Sequence, residues 1–158
     1  MSRIYLFASN QELKEQPNPY VEFLSINEAI RRGIPIDPHM NEHVEDPDEE
    51  GVVLLVENED QMDYPNIFHS PLEKSLADET ELKYFIEMQG DTENYALIIL
   101  DYIKEHMKTA EEMELWSIIL EEDKEVERLE CSVEDLDVET IQEFYRENGE
   151  RVCLRVFK

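Results

Sequence analysis

Positive charge is what this chain has least of. Its 158 residues hold 14 Lys and Arg against 40 Asp and Glu, a formal net charge of -26 at pH 7. A surface of that sign repels phosphate backbones and anionic lipid headgroups, so no direct electrostatic binding of nucleic acid or of a membrane is expected. Glycine is scarce as well, at four residues. None is arranged as a phosphate-cradling loop or as the G-x-S-x-G turn that presents a nucleophilic serine. The two cysteines, Cys131 and Cys153, are too few for the disulfide framework of a small secreted domain. No apolar run approaches the ~20 residues that cross a bilayer. The opening residues, MSRIYLFASN, carry too short an apolar stretch for a signal peptide. A cytoplasmic protein without a cofactor is the expectation.

What the chain does have is hydrophobic periodicity, most regular beyond residue 80. Leu82, Tyr84, Ile86 and Met88 alternate with Lys83 and Glu87 and predict a strand. Tyr95, Ile98, Ile99, Tyr102, Ile103 and Met107 recur at helical spacing, with Asp91 or Thr92 placed to cap that helix. Residues 115–120 predict a second strand, with Trp116, Ile118 and Leu120 on its core face. Leu129, Cys131 and Val133 mark a third, and Asp137 can cap a helix carrying Val138, Ile141, Phe144 and Tyr145. Val152, Leu154 and Val156 mark the last strand. Strand, helix, strand, strand, helix, strand is the order of a ferredoxin-like βαββαβ unit, with both helices on one face of an antiparallel sheet. Its other face would show Phe85, Ser117, Ile119, Cys153, Arg155 and Phe157. That half-apolar surface needs a cover, from the N-terminal half, a second copy or a partner.

The N-terminal half is less regular. Residues 4–8 and 20–24 read as strands, and residues 51–56 as a strand buried on both sides. Ser25 and Glu28 have capping-box spacing before a helix that stops at Gly33. Ser70, Pro71 and Glu73 mark a short helix start. The fold class is therefore α+β, with an irregular α/β segment over residues 1–79 packed against the ferredoxin-like unit over residues 80–158, the two halves sharing one core or standing as two domains.

Three clusters carry candidate chemistry. His39, Glu42 and His43 follow the H-x-x-E-H pattern, in which two imidazoles one helical turn apart hold zinc and the carboxylate serves as general base. The competing reading is two solvated histidines in a loop. Asp46, Asp48, Glu50, Gly51 and Glu57 approach the spacing of a calcium loop. Pro47 within it and the strand-like residues after it favour an acidic turn instead. The third cluster is the pair of acidic runs: residues 42–60 hold nine carboxylates and no Lys or Arg, and residues 111–125 hold seven and one Lys. Glu42, Glu45, Asp46, Asp48, Glu49, Glu50, Glu111, Glu112, Glu114, Glu121, Glu122 and Asp123 are the candidate partner-binding residues. Opposite charge steers encounter and discriminates between partners, and the bland alternative is a solvated surface.

The preferred expectation is a non-catalytic module that engages a basic protein, as an inhibitor, an immunity-type neutraliser or a mimic of nucleic-acid charge. One rival is a ferredoxin-like regulatory domain that binds a small molecule and dimerises through its open sheet face. The other is a metal-dependent hydrolase using His39, Glu42 and His43.

Overall fold

Strands from both halves of the chain enter one mixed sheet. The computed structural model describes residues 3–120, 125–146 and 149–158. In chain order its elements are β1 (Arg3–Ser9), β2 (Val21–Leu24), α1 (Ile26–Arg31), α2 (Pro38–His43), β3 (Val53–Val56), β4 (Asn66–Phe68), β5 (Tyr84–Gln89), α3 (Ala96–His106), β6 (Glu112–Ile119), β7 (Glu127–Ser132), α4 (Val138–Arg146) and β8 (Arg151–Phe157). Contacts group the chain at positions other than residue 79: Met1–Pro17 with Asp63–Lys158 form one unit, and Asn18–Met62 form a second. Among the described residues no helix is long and apolar enough to cross a membrane.

The larger unit is α+β, with six strands in the order β4-β5-β1-β6-β8-β7. The expected succession from β5 to β8 is present, but those four strands do not form a sheet of their own. β1 lies between β5 and β6 and runs antiparallel to both. Its sequence allows this: Leu6, Phe7 and Ala8 have no exposed surface, so successive side chains are buried on opposite faces. The sheet is also not purely antiparallel, because β7 runs parallel to β8. The two are joined through α4, and a helical crossover returns the chain in the same direction.

Both helices cover one face. Ile99, Ile103, Ile141 and Phe144 meet Phe7, Ile86, Met113, Leu115, Val152 and Leu154 there. Asp137 caps α4 as expected, its Oδ1 accepting from the Thr140 amide at 2.8 Å. Asp91 instead caps a turn ahead of α3: its Oδ1 accepts from the amides of Glu93 and Asn94, and the helix begins at Ala96.

β6 corrects the expected facing. Met113, Leu115 and Ser117 point to the helices, whereas Trp116 and Ile118 join Ile4, Leu6, Ala8 and Cys153 on the opposite face. The chain covers part of that opposite face itself. A 3-10 helix, Pro71–Leu76, brings Leu76 onto it, followed by Leu82. Ser70 and Glu73 close a full capping box at its start, and Ser70 also donates to the buried carboxylate of Glu87 at 2.6 Å.

Gly90 ends β5 where the backbone leaves no room. Its φ is +144°, and a Cβ there would stand 2.9 Å from Pro65 Cα and 3.0 Å from the Asp63 carbonyl oxygen. The approach is tied by the Asp91 amide donating to Asp63 at 2.8 Å. Gly90→Ala is expected to lose roughly 2–3 kcal/mol, from a disfavoured φ combined with a backbone collision. Urea unfolding checks this: the midpoint falls at an unchanged slope. A midpoint equal to that of the wild type would refute the close approach.

In the smaller unit β2 and β3 form an antiparallel ribbon. Leu24 and Val53 pack with Ile26 and Ala29 of α1. Ser25 accepts from the Glu28 amide as half of a capping box, but the Glu28 carboxylate pairs with Arg31 and Arg32 rather than returning to the cap. β3 is not buried on both sides. Leu54 is 42 % exposed, because a two-stranded ribbon with helices on one face covers only the residues that alternate toward them.

Candidate functional site

The acidic clusters fall in different units, and each is described within its own. In the smaller unit Glu42, Glu45, Asp46, Asp48, Glu49 and Glu50 are all exposed. Their loop is a built turn. Asp46 Oδ1 accepts from the Asp48 amide at 2.9 Å, and Asn27 fastens the loop to α1 by donating its amide to the Pro47 carbonyl and its side chain to Asp48 Oδ1. Gly51, at φ +85°, then turns the chain into β3. These bonds use one carboxylate oxygen each of Asp46 and Asp48, and all six acidic side chains remain exposed. Among the described residues no Lys or Arg forms an ion pair with any of the six.

His39 and His43 lie on α2, which Asp37 caps by accepting from the His39 amide at 2.9 Å. His39 Nδ1 is 3.5 Å from Glu42 Oε2, and both side chains are largely in solvent. Among the described residues no group of three or more His, Cys, Asp or Glu side chains is arranged to hold a metal ion, and this covers both the histidine pair and the acidic loop.

In the larger unit Glu111 is exposed, Glu112 is half-buried and Glu114 is buried. Glu121, Glu122 and Asp123 lie outside the described residues. Glu112 and Glu114 line an open groove of about 420 Å³ with Asp78, Glu79, Glu81, Arg128 and Arg155. Strand alternation builds it. Glu112, Glu114 and Trp116 share one face of β6, and cross-strand register sets Arg155 of β8 beside Glu114 and Glu130 of β7 beside Arg155. Arg155 Nε binds Glu112 Oε2 at 2.7 Å, and its Nη1 stands 3.6 Å from Glu130. The hydrogen bond to Glu112 is the main reason its guanidinium is held above the usual range.

Glu114 takes a hydrogen bond from the indole Nε1 of Trp116 at 3.1 Å. Arg128 lies over that indole, 5.5 Å from the ring centroid, and donates to the Glu79 carbonyl at 3.1 Å. The Glu79 carboxylate holds Arg151 at 2.7 Å.

Of the groove's five carboxylates, Glu79, Glu112 and Glu114 already hold Arg151, Arg155 and the Trp116 indole, and both of its guanidiniums are engaged, which leaves Asp78 and Glu81 as the carboxylates facing an incoming cation. The groove's chemistry is acceptance of hydrogen bonds and attraction of cations. Cys153, beside Trp116 in register, is buried, and burial pushes its thiol well above the ordinary range. Both cysteines are free, and they occupy opposite sheet faces. The sequence reading did not single out Asp78, Glu79, Glu81 or Arg128 as site residues. Their signal is the D-E-T-E run at residues 78–81, which falls at the expected division between the two halves.

No family model, no curated protein and no solved structure matches this chain.

Proposed function

We propose that this protein is a non-catalytic binding module whose carboxylate surface engages a basic protein partner. The observation that carries this is a run of six exposed carboxylates on one short stretch, residues 42–50, with no Lys or Arg in ion-pair reach among the described residues. Arg31 and Arg32 pair with Glu28 and Glu22, Arg146 with Glu93, Arg151 with Glu79, Arg155 with Glu112, and Lys108 with Glu105. The six carboxylates at residues 42–50 have no such cation among the described residues and stand in solvent. Concentrating like charge on one built loop is costly to the folded state, and a cationic partner relieves that cost on binding.

A test protein of strongly basic isoelectric point should bind more weakly, by about tenfold or more, as salt rises from 50 to 300 mM, because screening shortens the reach of exposed charges. Changing Glu45, Asp46, Asp48, Glu49 and Glu50 to their amides should slow association more than it speeds dissociation. Calorimetry and surface-binding kinetics read both. Affinity indifferent to salt and to the amide substitutions would overturn the reading.

The second reading, a ferredoxin-like regulatory domain for a small molecule, draws support from the β5-α3-β6-β7-α4-β8 element order. A ligand that raises the unfolding temperature in a concentration-dependent way would favour it.

A further inference from the structure

The outer face of the β2–β3 ribbon is apolar where a solvated ribbon is ordinarily polar. Register sets Phe23 directly opposite Leu54 and Val21 opposite Val56, all four on the face turned away from α1. Phe23 is 60 % exposed and Leu54 42 %. An antiparallel sheet with one solvated face normally alternates apolar-in and polar-out, so two large apolar side chains paired on the outer face mark a contact surface. Both strands are also edges, since β2 pairs only with β3 within the described residues. An edge of this kind accepts an added strand.

Charge decides the occupant. Residues 18–62 carry twelve carboxylates and two arginines, a formal charge of -10, and both arginines are paired with Glu22 and Glu28. A second copy would bring the same charge against this face. A cationic segment is attracted instead. Beside the ribbon a groove of about 300 Å³ is lined by Tyr20, Val56, Glu22 and Glu57 among others. Such a lining suits a lysine or arginine, whose aliphatic stem covers apolar surface while its head meets Glu57, Glu22 being already paired with Arg32.

We propose that this face docks an extended segment of the basic partner, with apolar side chains at alternate positions against Val21, Phe23, Leu54 and Val56 and cationic ones between them. The proposal rests on the basic-partner reading above and names the contact that reading leaves open.

The test is calorimetric titration of the full chain with three nine-residue peptides, alternating Lys-Val, Lys-Ser and Glu-Val. Lys-Val should bind about tenfold more tightly than Lys-Ser, from apolar burial added to equal charge, and Glu-Val should not bind. Phe23→Ser with Leu54→Ser, confirmed folded by circular dichroism, should erase that tenfold difference and leave Lys-Ser affinity unchanged. Leu54→Thr alone, which keeps β propensity, should reduce the difference if the double variant fails to fold. Equal binding of Lys-Val and Lys-Ser would overturn the proposal, while the basic-partner reading stands if both weaken with salt. Glu-Val binding as well as Lys-Val would overturn the cationic occupant. A concentration-dependent dimer that the double variant abolishes would assign the face to a second copy and overturn the proposal. Absence of binding by all three peptides would remove both readings.

Discussion

Trp116→Ala is expected to lose about 4 kcal/mol of folding free energy, the scale found when a large aromatic is removed from a core. Trp116 has no exposed surface and sits on the sheet face away from the helices, with Leu6 and Cys153 beside it in register. Three losses combine. The indole's transfer free energy goes, a void is left among neighbours fixed to the sheet, and the buried Glu114 carboxylate loses the donor that approaches it at 3.1 Å. Trp116→Phe separates them, because it keeps most of the ring and removes only the N–H. It should cost about 1–2 kcal/mol, the penalty of leaving a buried acceptor unsatisfied. Chemical unfolding followed by far-ultraviolet circular dichroism is the measurement, since Trp116 is the chain's only tryptophan and its fluorescence disappears with it. A loss below about 1 kcal/mol for the alanine variant would show that this face is not packed as described.

Glu79→Ala is expected to cost about 2–3 kcal/mol, somewhat below the range for fully buried pairs. Its partner Arg151 is only 13 % exposed, while Glu79 is 30 % exposed, so the substitution strands the more buried charge. The Glu79 carbonyl, which accepts from Arg128, survives in the alanine variant, so the experiment isolates the carboxylate. Arg151→Met in the Glu79→Ala background should recover part of the loss, since an apolar side chain of similar length needs no counter-ion. Failure of the double variant to recover would place the cost elsewhere, in the groove's other contacts.

The elements from β5 to β8 were legible in the sequence because each carries one period clearly. The heptad-like recurrence from Ile99 to Met107 and the alternation of Val152, Leu154 and Val156 leave little choice of structure. The facing of β6 was not legible. Its run from Met113 to Ile119 is apolar on both sides, so a strand buried on both faces gives no alternation from which to tell them apart. The place of β1 was hidden for the same reason, together with distance: its partners lie 75 to 116 positions further along the chain. The acidic loop at residues 46–50 was legible as a turn, from Pro47 and Gly51. The groove was not, because Asp78, Glu112, Arg128 and Arg155 approach one another only when strands from three places in the chain lie side by side.

By itself the amino-acid order determined the charge of this protein, its α+β character and the identity of most helices and strands, since these depend on side-chain chemistry and on periods spanning a few residues. Tertiary structure alone decided that β1 divides β5 from β6, that Trp116 turns away from the helices, that an arginine-lined acidic groove exists, and that Phe23 and Leu54 share an outer face. Each of those is a pairing between distant segments, chosen by which apolar surfaces bury one another best, and no local pattern encodes that competition.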